Sequence, residues 1–148
     1  MLDYIRIACA VPEVQVANVE KNTQDICGYI EKADGQNVDV LLFPELAVTG
    51  ATCGDLFYQD SLHNAVEAGL LQILKCSAEH PALTVIVGLP VRNGMKIFNC
   101  AAVIAAGELQ ALSSKTYLPN YGESSDGRWF SVAAEGTAVT IAGTTVFV

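Results

Sequence analysis

Positive charge is scarce in this sequence. Its 148 residues contain 8 Lys and Arg against 16 Asp and Glu, which gives a formal net charge of -8. The electrostatic field of such a chain repels phosphate groups, and this argues against a nucleic acid or an anionic membrane as the partner. A small molecule is the favoured class of ligand.

Apolar runs of transmembrane length are absent as well. Apolar stretches such as residues 97–107, which Asn99 interrupts, stay far below the roughly 18 residues of a membrane span. No long apolar segment precedes a small-residue cleavage site near the start, so no signal peptide is evident. The sequence therefore predicts a cytoplasmic protein.

Cysteine occurs in no disulfide or metal-binding pattern. The five cysteines are odd in number and include no C-x-x-C pair. Most of them, including Cys9 and Cys100, stand within apolar patterns and are predicted to be buried and inert. Cys53 lies in a polar loop, where partial exposure is expected. A structural role is still favoured for it, because no neighbour in the sequence would activate its thiol.

Histidine and several common catalytic motifs are equally scarce. The two histidines, His63 and His80, fall on or at the end of a predicted helix and are expected at the surface or the helix end. The sequence contains no G-x-S-x-G, G-x-G-x-x-G or P-loop motif. Cys/His and Ser/His/Asp enzymes are therefore disfavoured.

The first half of the chain alternates predicted strands and helices. Apolar runs at 5–11, 38–42 and 84–89 predict buried strands. Apolar residues at helical spacing predict one helix from the N-cap Asn18 to Gly35 and a second helix over 60–79. This β-α-β-α-β order with short connections predicts parallel strands and helices on a face of the sheet.

The second half predicts antiparallel strands. Asn93-Gly94 is a strong hairpin signal between the runs 85–91 and 95–106, and a further strand follows at 109–112. After a long loop over 113–131, two short runs at 138–141 and 144–148 are joined by a turn at Gly143. Because the sequence stops inside a predicted strand, we expect a fragment of a longer protein.

Glu45 directly follows the predicted strand 38–42. Pro44 has no N–H to continue a hydrogen-bonded ladder, so Glu45 is expected at the carboxyl end of the strand. Open α/β sheets bind their ligands at that end. A solvated loop carboxylate is the alternative interpretation.

Lys115 occupies the corresponding place after a later strand, at the start of the segment KTYLPNYGE. If the two strand ends meet, the carboxylate of Glu45 keeps the ammonium of Lys115 protonated, and the ammonium can stabilise an oxyanion. Glu123, in the same segment, is predicted to hold this ammonium from the other side. A loop that contains an unrelated Lys and Glu is the alternative.

These segments resemble the nitrilase, or carbon–nitrogen hydrolase, superfamily. The residues that carry the resemblance are FPEL at 43–46, VGLP at 87–90, FNCAAVI at 98–104 and KTYLPNYGE at 115–123. LPNY, with GDL at 54–56, is most similar to the glutaminase domains of the glutamine-dependent NAD synthetase family. The resemblance implies a single, partial domain over 1–148. Its fold would be an α/β fold, a nitrilase-like α-β-β-α sandwich with a mixed sheet, incomplete at the C-terminus.

The resemblance also implies roles for individual residues. Glu45 matches the general base, Lys115 the lysine that stabilises the tetrahedral oxyanion, and Glu123 the acid that orients this lysine. Tyr121 matches an aromatic residue that lines the glutamine pocket. The nucleophilic cysteine of the superfamily matches none of the cysteines here and is expected beyond Val148. We therefore expect the chain to be inactive alone.

The activity implied is hydrolysis of the glutamine side-chain amide through a thioester, which releases ammonia. A synthetase domain elsewhere in the full-length protein would use this ammonia, with ATP and Mg²⁺, to make NAD. The glutaminase part itself would need no cofactor or metal. A homo-oligomer is expected, since a free sheet edge favours self-association. The alternatives are a stand-alone amidase or carbamoyl hydrolase, and a non-catalytic binding or assembly module of the same fold.

Overall fold

Strands and long helices alternate in the first half of the chain. The structure is a computed structural model that describes residues 4–148. In chain order the elements are β1 (Ile7–Cys9), α1 (Val19–Asp34), β2 (Val40–Leu42), α2 (Asp60–Ala78) and β3 (Thr84–Asn93). Strand β2 pairs in parallel with both β1 and β3. The predicted β-α-β-α-β unit is therefore confirmed.

Antiparallel strands complete the sheet. Strand β4 (Lys96–Ala105) and strand β5 (Glu108–Ser114) follow β3, and the order across the sheet is β1-β2-β3-β4-β5. The turn between β3 and β4 falls at the predicted hairpin signal. A separate hairpin of β6 (Ala138–Ile141) and β7 (Thr144–Phe147) packs near β3 and β5.

Helix α1 begins and ends where capping residues predict. The side-chain oxygen of Asn18 accepts a hydrogen bond from the backbone N–H of Lys21 at 3.2 Å, and Gly35 follows the last turn. Its apolar stripe is buried, through Val19, Ile26, Ile30 and Ala33.

The two helices and one face of the sheet form the core. Helix α1 packs on α2, and α2 packs on β3, β4 and β5. Side chains on this face of the sheet, such as Val85 and Ile104, have no exposed surface. On the other face, Ile7 is 65 % and Leu42 is 39 % exposed. The described residues thus form an α-β half of the sandwich that the resemblance implies.

Three side chains lie differently from the predictions. Cys9 is exposed rather than buried, because it stands with Ile7 on the outer face of the edge strand β1. Cys53 is buried rather than partly exposed, since its thiol donates to the carbonyl oxygen of Thr49 at 3.2 Å. His63 is also buried, with its Nε2 hydrogen-bonded to the carbonyl oxygen of Phe57 at 2.7 Å.

Bilayer-spanning helices were not expected, and the helices of residues 4–148 are all too short or too polar to cross a membrane.

Close packing between β3 and the turn after β2 determines where Glu45 lies. The backbone N–H of Val48 donates to the carbonyl oxygen of Gly88 at 3.2 Å. A Cβ atom at Gly88 would stand 2.4 Å from the backbone N of Leu46 and 2.6 Å from the carbonyl oxygen of Pro44. Glycine at this position therefore allows the turn that carries Glu45 to cross directly over β3.

We expect the substitution Gly88→Ala to lower the free energy of unfolding by about 1–3 kcal/mol, because the turn or the strand must shift to admit a methyl group. Gly28→Ala is the control, since a Cβ at Gly28 meets no atom within 4 Å. Alanine in a helix is favoured over glycine by about 1 kcal/mol, so this control should stabilise the protein. Urea denaturation measures both variants. Equal stabilities for Gly88→Ala and wild type would contradict the close packing.

Candidate active site

Glu45 lies in the turn after β2, at the carboxyl end of this strand. Its side chain is 50 % exposed. Its Oε1 accepts a hydrogen bond from the ammonium of Lys115 at 2.9 Å and another from the side-chain amide of Asn99. The carboxylate is therefore held by one donor from strand β4 and by a second from the residue that follows strand β5.

Lys115 directly follows β5, and its ammonium lies between two carboxylates. Nζ stands 2.9 Å from Oε1 of Glu45 and 2.8 Å from Oδ2 of Asp126. Its backbone N–H donates to the carbonyl oxygen of Asn99 at 2.8 Å, which extends the β4–β5 ladder. The structure thus brings Glu45 and Lys115 together from distant parts of the sequence.

The pKa of Lys115 lies above its ordinary value. Partial burial lowers this pKa, but the hydrogen bonds to Asp126 and Glu45 and the charges of both carboxylates outweigh the burial. The side chain therefore stays protonated at neutral pH. A fixed ammonium of this kind is suited to stabilise the negative charge of a tetrahedral oxyanion.

The second acid at this ammonium is Asp126 and not Glu123. Asp126 opens a short helix, α3 (Asp126–Trp129), that the sequence did not predict. Buried Phe130 anchors the end of this helix, with its ring centroid 4.9 Å from that of Phe57. Glu123 lies in an exposed turn beyond Gly122, whose φ is +60°. The prediction that Glu123 holds Lys115 is therefore wrong, since the anchored segment brings the aspartate to the ammonium instead.

Tyr121 is not inserted between Glu45 and Lys115. Its side chain is 79 % exposed. It lines, together with Lys115, an open groove of about 590 Å³ whose other residues are Thr116, Tyr117, Leu118, Pro119 and Val132. A ligand bound at Lys115 could extend along this groove to Tyr121. Its contact with a substrate stays a prediction.

A second cavity borders Glu45 and Lys115 directly. Its volume is about 350 Å³. The walls come from the carboxyl ends of β2 and β5 and from inner residues of β3 and β4, and they include Leu42, Ile86, Gly88, Ala101 and Ser114. This volume lies at the lower end of the range for small-molecule sites, which is roughly 300–1,000 Å³.

No thiol within residues 4–148 hydrogen-bonds to Glu45. Cys100 borders the cavity, but successive residues of a strand point to opposite faces, so its thiol points away from the carboxylate that Asn99 contacts. Burial raises the pKa of Cys100 to about 12. A nucleophile needs the opposite shift, together with contact to a base.

Sequence reasoning missed two residues of the site, Asn99 and Asp126. Asn99 was visible as a polar residue in the otherwise apolar run IFNCAAVI, and a buried polar group needs a partner. Asp126 and Glu123 share one loop, and nothing in the spacing of the two acids decides which one faces Lys115. The packing of Phe130 determines that Asp126 is the acid that faces Lys115.

The site pairs a strand-end carboxylate with a lysine, and the sheet beneath it combines parallel and antiparallel strands. Both features were expected from the resemblance to the carbon–nitrogen hydrolase superfamily. The family described as carbon-nitrogen hydrolase matches residues 6–146. The chain belongs to the carbon-nitrogen hydrolase family.

Curated relatives of the chain are glutamine-dependent NAD(+) synthetases. The synthetase of Xanthomonas campestris pv. campestris (strain 8004) is 34 % identical over 145 residues, which are 96 % of this chain and 26 % of the relative. That of Mycobacterium tuberculosis (strain ATCC 25618 / H37Rv) is 31 % identical over 121 residues, 81 % of this chain and 18 % of the relative. The chain therefore spans about a quarter or less of the length of these relatives.

Solved structures with a similar fold include an NAD(+) synthetase and an amidase. The glutamine-dependent NAD(+) synthetase from Cytophaga hutchinsonii superposes with a TM-score of 0.82 and 30 % identity, over 96 % of this chain and 24 % of that one. An amidase from the nitrilase superfamily, from Nesterenkonia AN1, superposes with a TM-score of 0.77 and 21 % identity, over 95 % of this chain and 53 % of that one. The amidase shares the fold alone. The predicted superfamily and fold are confirmed.

The ion pair between Lys115 and Asp126 allows a test that distinguishes Asp126 from Glu123, the other acid of the same loop. Asp126→Asn should lower the pKa of Lys115, because one of the two carboxylates that hold the proton is lost. Glu123→Gln is the control and should leave this pKa unchanged, since Glu123 is exposed and the ammonium pairs with Asp126. NMR titration of the Lys115 side chain measures both. An equal decrease in the two variants would restore Glu123 as a partner.

The raised pKa of Lys115 also makes the stability depend on pH. The folded chain holds this proton more tightly than the unfolded chain, in which a lysine pKa is about 10.4. The stabilisation is therefore complete below that pH and is lost as the pH rises through the folded pKa. We expect about 1 kcal/mol or less, because the pair is partly exposed.

Urea denaturation of wild type and Lys115→Met at neutral and strongly alkaline pH measures this contribution. The stability difference between the two proteins should shrink in alkali. Comparing them removes the titration of other lysines and tyrosines. A difference that does not change with pH would argue against the ion pairs.

Proposed function

We propose that this chain carries the general base and the oxyanion-stabilising lysine of a glutaminase, which hydrolyses the side-chain amide of glutamine and releases ammonia. The observation that carries the proposal is the 2.9 Å contact between Glu45 Oε1 and Lys115 Nζ, which follow the carboxyl ends of β2 and β5. The family supports hydrolysis of a carbon–nitrogen bond. The relatives, named as glutamine-dependent enzymes, support glutamine as the amide.

The proposed reaction has two halves. Glu45 takes the proton of a cysteine thiol, and the thiolate attacks the amide carbon of glutamine. Lys115 stabilises the resulting oxyanion, and Glu45 returns the proton to the departing ammonia. A water molecule, activated by Glu45, then hydrolyses the thioester and releases glutamate. Asp126 acts through Lys115 by holding its ammonium in place, and Tyr121 lines the substrate groove.

The nucleophilic thiol is proposed to come from outside the described residues. Two thiols close to Glu45 in the fold or the sequence are unsuitable: Cys100 borders the cavity but points to the helix-covered face, and Cys53, in the loop after Glu45, donates to backbone carbonyl oxygens. Burial raises the pKa of both thiols. On this proposal, the chain supplies the base and the lysine, and it is inactive alone.

The proposal extends to the protein of which these residues form a part. In the relatives, a stretch similar to this chain belongs to a polypeptide about four times as long. The ammonia would pass to a synthetase domain that uses ATP and Mg²⁺ to complete NAD. A cytoplasmic location and self-association stay predictions.

A glutaminase assay tests the proposed function on two polypeptides, the 148-residue chain and the longest polypeptide that its gene encodes. We expect no release of ammonia from the chain alone and clear release from the longer polypeptide. In the latter, Glu45→Gln should lower kcat by roughly 10²–10⁴-fold, as the loss of a general base does. Glu67→Gln, on the exposed side of α2, is the control and should keep the wild-type rate.

Two results would contradict these assignments. Ammonia release by the 148-residue chain would show that one of its own cysteines is the nucleophile. Full activity in Glu45→Gln would remove Glu45 as the base.

A further inference from the structure

Asn99 is a buried polar residue that touches both charged residues of the site. It is 3 % exposed and stands between Phe98 and Cys100 in β4. Its side-chain amide donates to Oε1 of Glu45, and its backbone carbonyl oxygen accepts from the N–H of Lys115 at 2.8 Å. A single residue of the rigid sheet therefore connects the carboxylate and the lysine.

The two donors to Glu45 approach the same oxygen atom. Both Nδ2 of Asn99 and Nζ of Lys115 bind to Oε1. Among residues 4–148, no hydrogen-bond donor contacts Oε2. The side chain as a whole is 50 % exposed, which leaves room for a proton donor to approach the carboxylate.

An amide is chemically suited to this position. It carries no charge at any pH and offers two N–H donors, so it can orient a carboxylate without neutralising it. A second cation beside Glu45 would favour the charged carboxylate further and so weaken it as a base. The site contains one ammonium and two carboxylates, so a neutral amide leaves the cluster with a net negative charge.

We propose that Asn99 is a positioning residue for the general base: it holds the Glu45 carboxylate through Oε1, so that Oε2 is the oxygen that exchanges protons with the thiol, the leaving ammonia and the hydrolytic water. This inference rests on the proposed function. On this inference, the side-chain amide of Asn99 orients the carboxylate of Glu45. This orientation determines whether the proton of a thiol lies within hydrogen-bond reach of the carboxylate.

The first test measures catalysis in the polypeptide that shows glutaminase activity. Asn99→Ala removes the donor but keeps the backbone carbonyl that binds Lys115. We expect kcat to fall by roughly 10–100-fold while KM changes less than about 2-fold, because orientation of the base and not binding of glutamine is lost. An unchanged kcat would overturn the proposal.

A second variant gives a signature in the pH profile. Asn99→Asp has nearly the same shape, but it places a carboxyl group against Glu45, with Lys115 and Asp126 as the other charged groups of the site. The contact then requires a proton shared between two carboxyl groups. Its residual activity should fall as the pH rises, relative to wild type. A pH profile parallel to that of wild type would overturn the proposal.

An independent readout on the 148-residue chain needs no activity. With Asn99→Ala the Glu45 carboxylate is no longer fixed beside Lys115, so the pKa of Lys115 should fall, by less than in Glu45→Gln. Asn22→Ala is the control of matched burial, since Asn22 is 1 % exposed and donates to the carbonyl oxygens of Gln15 and Val48. It should lower the melting temperature without changing the pKa of Lys115.

The two readouts separate the two possible failures. Wild-type polypeptide without glutaminase activity would overturn the proposed function, and the NMR titration of Lys115 would still decide whether Asn99 fixes Glu45. If Asn99→Ala lowers the pKa of Lys115 no more than Asn22→Ala does, Asn99 is a structural residue and the inference is wrong.

Discussion

The ion pair between Glu45 and Lys115 is the interaction on which the site depends. A carboxylate alone at this half-exposed position would be an ordinary surface acid, and a lysine alone at the end of β5 would extend into solvent. Together, and with Asp126 on the other side of the ammonium, they form a cluster with one positive and two negative charges. The lysine is held protonated, and the cluster as a whole carries a net negative charge.

Backbone constraints produce this pairing more than the charges do. A partly exposed ion pair contributes about 1 kcal/mol at most, which is too little to fix the path of two chain segments. The path is fixed by the turn that crosses over Gly88, by the ladder bond from Lys115 to Asn99, and by the burial of Phe130. These contacts belong to the packed sheet and the segments next to it, so packing of the fold determines where the charged groups meet.

The sequence predicted the sheet well, because strands and helices follow from local patterns. The N-cap Asn18, the Asn93-Gly94 hairpin signal and the apolar runs placed every element except two short helices, a 3₁₀ helix at Gly54–Tyr58 and α3. The strand ends indicated that Glu45 and Lys115 could meet, and the resemblance to the superfamily favoured this over a loop with an unrelated Lys and Glu; the structure brings the two together. The choice of Asp126 over Glu123 could not be predicted, since it depends on the packing of Phe130 against Phe57, a contact between segments far apart in sequence. The burial of His63 was not predicted either, because it also depends on how distant segments pack.

The solvent exposure of Glu45 and Lys115 limits how strongly the ammonium of Lys115 can stabilise an oxyanion. An ammonium stabilises an oxyanion strongly only where water is excluded, because the interaction weakens as the surrounding dielectric rises. Here the Glu45 side chain is 50 % and the Lys115 side chain 30 % exposed, and apolar residues such as Leu42 on the same face of the sheet also meet solvent. The described residues therefore orient Glu45 and Lys115 relative to each other, but they do not provide the dry surroundings that the proposed amide hydrolysis requires. Any polypeptide that covers this face would raise the effectiveness of Lys115 even before it contributed a thiol.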